Sequence, residues 1–165
     1  MQTPSLIQRA AGLWQAVERA LQMAQPPAQL AARLYLAQVF FLAGLTKLRD
    51  WDTTLFLFTE EYRVPLLPPA VAAWSGTAGE LLLPVLLALG LGGRFAALGL
   101  SVVNLVAVLS LAEIPPAALQ QHLTWGALLG ALALFGSGPW ALDHWLGRRR
   151  AGATAPVGTA ARGLG

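Results

Sequence analysis

Glu80 stands near the middle of AVAAWSGTAGELLLPVLLALG, residues 70–90, a run otherwise apolar or small enough to cross a bilayer. A carboxylate at membrane depth costs a few kcal/mol on insertion scales, so it needs a partner or a task. With spans placed at about 1.5 Å per residue, Gln38 falls near the centre of the first span and Asn104 near the centre of the third. Three polar side chains at one depth on three helices bury at least cost by facing each other. Arg33 lies about 8 Å to the cytoplasmic side of the midplane, and its long side chain is expected to reach Glu80. Lys47 reads as a snorkelling anchor at the outer edge. Glu80, Arg33, Gln38, Asn104 and Lys47 therefore form the candidate ligand-binding or proton site. Two roles stay open for the Glu80–Arg33 pair: mutual neutralisation that fixes helix register, or binding a ligand and moving a proton.

Other chemistry is thinly represented. There is no cysteine, which excludes disulfides, thiol redox chemistry, thiolate metal sites and Cys-attached haem within the chain. His122, at the outer end of the fourth span, reads as a cap or surface residue, and His144 lies at the other end. No metal-ligand spacing, phosphate loop or nucleophile–base arrangement is visible, so neither a metal nor a catalytic residue is expected.

The elements that must position the polar set are apolar helices. Of the 165 residues, 56% are hydrophobic and 12% charged, against about 25% charged in soluble domains. Four runs of suitable length lie at about 28–48, 70–90, 94–112 and 121–138. The net charge of +3 is read as arginines that fix topology, since no nucleic-acid-binding signature is present. Arg9, Arg19, Arg94, Arg148, Arg149, Arg150 and Arg162 flank the spans on the side shared by both termini. That places both termini in the cytoplasm and the loop from 49 to 69 outside, with WDTTLFLFTEEY as a short interfacial helix. Ahead of the spans, Leu6, Ile7, Leu13, Trp14, Val17 and Leu21 recur at helical spacing. They make residues 5–24 an amphipathic helix, either on the membrane surface or packed on its own protein. Gln25-Pro26-Pro27 is expected to break it. The tail from Arg148, rich in Gly, Ala and Arg, is expected to be disordered. The fold class is thus all-α: an integral membrane four-helix bundle with an N-terminal amphipathic interfacial helix. The divisions are 1–27, 28–146 and 147–165.

Four motifs then give the chain a resemblance to the DoxX family. Arg33 opens the first span and FFLAGLTKLRD, residues 40–50, carries an apolar run into Gly-x-x-Lys. A Pro-containing loop precedes Glu80. LALGLGGRFAAL, residues 87–98, has a Gly-containing turn into Arg94. LFGSGPWALDHWL, residues 134–146, resembles the family's Gly-x-Gly ending with a following Asp143. The resemblance spans about residues 28–146. It implies a bacterial inner-membrane protein of four helices, some relatives being membrane subunits of redox complexes, including a thiosulfate:quinone oxidoreductase. From it follows the expectation of a membrane subunit or accessory factor of a redox system, quinone-linked, with the lipid bilayer and a redox partner protein as partners. Nothing is expected to be bound covalently, and homo-oligomers are allowed. Quinone reduction consumes protons, and a buried carboxylate suits that task. The alternatives are a non-catalytic membrane scaffold, and a binder or transporter of a lipid-like ligand. Four spans leave little room for alternating access in a monomer.

Overall fold

Paired prolines begin two of the helices and fail to end a third. The computed structural model describes residues 6–153 as six helices: α1 (Leu6–Arg49), α2 (Trp51–Glu60), α3 (Pro69–Leu89), α4 (Gly93–Ser110), α5 (Pro116–Phe135) and α6 (Leu142–Ala153), with no strand among the described residues. Pro68 and Pro115 are N-caps, and Pro69 and Pro116 take the first helical position, where a missing N–H removes no bond. Pro26 and Pro27, by contrast, lie inside α1. The expected break at Gln25-Pro26-Pro27 is therefore absent. The two carbonyls deprived of their donors belong to Gln22 and Met23, both exposed, so solvent can take over those bonds.

Residues 6–25 of α1 are exposed throughout, and burial begins only at Pro26. Of the two placements for this amphipathic segment, packing on its own chain is not what the structure has. Its apolar side, with Leu6 at 84% and Ile7 at 82% exposure, projects free of the bundle. The tail also differs from expectation. Residues 148–153 continue α6 as helix, and the Arg149 guanidinium lies 3.6 Å from the centroid of the Trp145 ring one turn earlier, a cation–π contact that favours the helix. Residues 154–165, the rest of the expected disordered tail, lie outside the described residues.

Three helices, α1, α3 and α4, are long and apolar enough to cross a membrane. The fourth of the long helices, α5, has 20 residues, about 30 Å, and completes the bundle. The neighbours run antiparallel. Gly44 of α1 meets Glu80 and Leu81 of α3, and Gly79 and Leu83 of α3 meet Val103 and Gly99 of α4. Arg94 of α4 lies by Leu134 of α5, and Asn104 by His122. Helix α1 packs on α3 and on α5, and α4 does likewise, so the order round the bundle is α1, α3, α4, α5. Leu36, Phe40, Leu87, Ala96, Ala97, Leu100, Leu129 and Leu132 fill the centre. Leu82, Val102, Leu105 and Leu134 are more than half exposed, as side chains facing lipid would be.

The two ends of the bundle are built differently. At the proximal end, next to α6, Gly90 closes α3 with φ 69°, a conformation glycine adopts without penalty. The Asp143 N–H donates to the Gly90 carbonyl at 3.1 Å and the Gly93 N–H to Asp143 Oδ2 at 3.2 Å. Two of the motifs behind the resemblance thus meet in one joint. At the distal end, Asp50 caps α2 by accepting from the Thr53 N–H at 3.0 Å, as a helix N-terminus favours. The Thr53 hydroxyl, and then this N–H, hold the Asp50 carboxyl below its ordinary range. Phe58 of α2 packs on Ala72 and Ala73, and the Trp51 and Trp74 rings lie 4.2 Å apart. The loop holds a short helix where one was expected, and it lies against the start of α3.

Candidate functional site

Helix geometry decides which cation meets Glu80. Side chains on a helix lean toward its N-terminus. Glu80 stands eleven residues into α3, about 16 Å from the distal end, and leans back toward that end. Lys47 is in the last turn of α1, where its lean carries it inward. The two meet: Lys47 Nζ donates to Glu80 Oε1 at 2.7 Å and to Oε2 at 2.6 Å. Gly44, one turn before Lys47, lets the helices come this close. A Cβ there would lie 2.9 Å from Leu81 Cγ and 3.1 Å from Glu80 Cβ.

Arg33, on the same helix, leans the same way as Lys47, but from its position that carries it away from Glu80. It does not reach Glu80, which corrects the expected pairing. Its guanidinium is buried at the proximal end beside Gly90, with Nη2 donating to the Trp140 carbonyl at 3.1 Å. Its Nε and Nη1 are buried without a partner among the described residues. Lys47, read as a snorkelling anchor, is instead the counter-charge. Gln38 is a second correction: it is exposed. It shares the depth of Glu80 but sits about 120° round α1 from the stripe of Arg33, Ala37 and Gly44, at about 100° per residue. Asn104 is buried, but its side chain bonds His122 rather than Glu80. The five candidates thus fall into one ion pair, one interhelical amide and two separate positions.

The ion pair is nearly enclosed. The side chains of Lys47 and Glu80 are 24% and 10% exposed. Thr54 of α2 donates from Oγ1 to the Lys47 carbonyl at 3.0 Å, which lays α2 across the end of α1. Beyond α2 comes Tyr62, whose ring meets Phe58 edge-on at 5.1 Å. Burial pushes the Tyr62 phenol up, and the negative charges of Glu61 and Glu80 add to it. Tyr62 lies outside the spans, so the field of Glu80 is felt at the distal surface. Thr77, one turn before Glu80, has a buried Oγ1 with no partner among the described residues. Pro84, one turn after it, has no N–H to give to the Glu80 carbonyl. Sequence reasoning missed His122 as a partner of Asn104, and Tyr62 and Thr77 as neighbours of Glu80. A phenol closing an aromatic interfacial segment was the signal for Tyr62, and the one-turn spacing was the signal for Thr77.

Such a site can do limited chemistry. An ammonium and a carboxylate in contact can exchange a proton, and either can hydrogen-bond a ligand that displaces the other. No group of three or more His, Cys, Asp or Glu suited to a metal ion occurs among the described residues.

No curated protein and no solved structure matches the chain. A family model described as DoxX matches residues 28–113. The matched segment takes in Arg33, Lys47, Glu80 and Asn104, and stops before α5, so the likeness at residues 134–146 lies beyond it. Covering just over half of the chain and three of its four long helices, this match makes the protein a member of the DoxX family.

Proposed function

We propose that this chain is the membrane subunit or accessory factor of a quinone-linked redox system, with Lys47 and Glu80 as its proton-handling pair. In this reading it lies in a bacterial inner membrane, both termini are cytoplasmic and the distal end faces outward. A redox partner protein exchanges electrons with it, and self-association is compatible with the bundle. The observation that carries the reading is the Lys47–Glu80 contact, a mostly buried ion pair placed inside an apolar helix bundle. Burying such a pair rarely stabilises a fold more than apolar residues of the same size, so its presence calls for a task.

The residues present fit a quinone head group, which needs hydrogen-bond donors beside apolar surface. Lys47 Nζ has a third N–H beyond the two given to Glu80, and the Thr77 hydroxyl is buried without a partner. These two would hold the quinone oxygens. A bound quinone supplies two-electron, two-proton chemistry. Glu80 holds or releases a proton at its carboxylate, Lys47 balances the charge, and α2 limits the entry of water.

The test is Glu80→Gln, which keeps size and hydrogen bonding but cannot titrate. It should insert and express as the wild type, co-purify with quinone, and lose the redox phenotype of a deletion strain. Full activity in this variant, or purified wild-type protein free of quinone, would refute the reading. A second reading, a non-catalytic scaffold, is favoured by the exposed stretch of α1 from Leu6 to Gln25, an unpartnered amphipathic surface. Removal of residues 6–25 separates the two. A scaffold loses its partner, whereas the proton site is untouched.

A further inference from the structure

Asn104 and His122 tie α4 to α5 by two contacts, and together they fix the chemistry of the imidazole. Asn104 Nδ2 donates to the His122 backbone carbonyl at 3.0 Å, and Asn104 Oδ1 stands 2.8 Å from His122 Nδ1. A carbonyl oxygen can only accept, so the amide must turn its NH2 toward it. That leaves the amide oxygen facing the ring, and this oxygen can only accept too. His122 Nδ1 must therefore carry a proton. In the neutral ring Nε2 is then a bare acceptor.

Nε2 is also within reach. It has no partner among the described residues and is not one of the buried unpaired atoms, so it opens at the surface of the bundle. Trp125 meets the His122 ring edge-on at 4.9 Å, and Trp125 is itself held by donating from Nε1 to the Tyr35 hydroxyl at 3.1 Å. His122 stands six residues inside α5 from Pro116, about 9 Å below the distal end. Leu105 and Leu123 nearby in sequence are more than half exposed, as side chains facing lipid. Whatever reaches this nitrogen from the lipid side has an apolar body and brings its own donor, because the bare Nε2 can only accept.

We infer that His122 is a proton-accepting binding site at the α4–α5 seam for the hydroxyl group of a molecule that arrives through the bilayer. The hydroxyl donates to Nε2. If the proton transfers, the O–H bonding electrons stay on oxygen, a new N–H bond forms at Nε2, and the ring becomes imidazolium. Nδ1–H remains on Asn104 Oδ1 in both states, so the ring takes up and releases a proton without loosening α4 from α5. Asn104 is a positioning residue, and the inference stands independently of the Lys47–Glu80 site. The donor chemistry has two sources, a phenol-type hydroxyl or the glycerol hydroxyl of a lipid head group.

The test uses the full chain, labelled with 15N-histidine, in phosphatidylcholine nanodiscs. The chain has two histidines, and His144→Gln assigns the signals. Nδ1 should resonate as a protonated nitrogen and Nε2 as a bare one. Adding trimethylhydroquinone, or exchanging the lipid for phosphatidylglycerol, should shift Nε2 and leave Nδ1 in place. A response to the first alone identifies a phenolic ligand, and a response to the second alone identifies a head group. Asn104→Leu should populate both tautomers and weaken the response about fivefold, the worth of roughly one hydrogen bond. Asn104→Asp keeps an oxygen acceptor for Nδ1–H and should retain the response, which guards against misfolding of the Leu variant. A protonated Nε2 in the neutral wild-type ring, or no Nε2 shift with either probe, overturns the inference.

Discussion

Replacing Lys47 by Leu should cost this protein more than replacing Glu80 by Leu, and replacing both should cost less than replacing Lys47 alone. Removing one partner of a buried ion pair costs about 3–5 kcal/mol. For Lys47→Leu the lower end of that range applies, because the pair is not sealed: Lys47 is 24% exposed. Its loss strands Glu80, whose Cα lies well inside α3. Glu80→Leu leaves Lys47 two residues from the end of α1, where its stem can turn outward to water. The expected cost is about 1–2 kcal/mol, less than the roughly 3 kcal/mol of a charge at the centre of a span. The double variant should lie within about 1 kcal/mol of the wild type, since apolar replacement of a whole pair is often neutral. The cycle therefore predicts a coupling of roughly 4 kcal/mol. Equilibrium unfolding in mixed micelles, followed by circular dichroism, measures all four proteins. Single changes that add to the double within about 0.5 kcal/mol would refute the pairing and the argument from side-chain lean.

Three other outcomes are expected. Gly130→Ala, where a Cβ meets nothing within 4 Å, should gain up to about 1 kcal/mol of helix propensity, whereas Gly44→Ala should lose about 1–3 kcal/mol relative to it by overpacking Leu81; equal melting temperatures would show that α1 and α3 do not touch there. In a Tyr35→Phe background Tyr62 is the remaining tyrosine, and its ultraviolet titration should fall above that of free tyrosine and move down in Glu80→Gln, since burial and the charges of Glu61 and Glu80 raise it. Because the folded value is raised, this contribution to stability is present below about pH 10 and lost as pH rises through the folded value, so a Tyr62 titration unmoved by Glu80→Gln would detach Tyr62 from the site. Reporter fusions at Glu60 and at Arg150 should report opposite sides of the membrane, and the same side for both would overturn the topology.

Depth along a helix was legible in the residues, and direction around it was only partly so. The apolar runs locate α3, α4 and α5, and the end of α1, to within a few residues because length and hydropathy are properties of a segment alone. Glu80 is recognisable for the same reason. Gln38 shows the limit. Matching it to Glu80 by depth ignores the 100° turn per residue, and the stripe through Arg33, Ala37 and Gly44 already pointed elsewhere. The exchange of Arg33 for Lys47 has a similar origin. Counting Cα positions puts Arg33 nearer the midplane, but the lean of each side chain reverses the ranking. The Asn104–His122 pair depends on how α4 and α5 meet, which neither helix encodes by itself. Pro26-Pro27 misled because its cost depends on whether two carbonyls can find water, and that is set by where the bundle begins.

The Arg33–Trp140 contact has a consequence for how the protein is made. The two residues are 107 positions apart, and the joint of Asp143 with Gly90 and Gly93 closes over the same end. A chain entering the membrane from its N-terminus carries Arg33 through synthesis of three further long helices before the carbonyl that receives it exists. Until then the guanidinium must stay at the surface, and α1 cannot settle against α3 at its proximal end. Closure of the bundle is therefore expected to be a terminal event in biogenesis, triggered by the α5–α6 connection and the start of α6 rather than by insertion of the spans. Nascent chains arrested before residue 140 should remain open to a membrane-impermeant reagent at a cysteine placed beside Arg33, and chains released past residue 146 should not; equal labelling of both would show that the end closes without its latch.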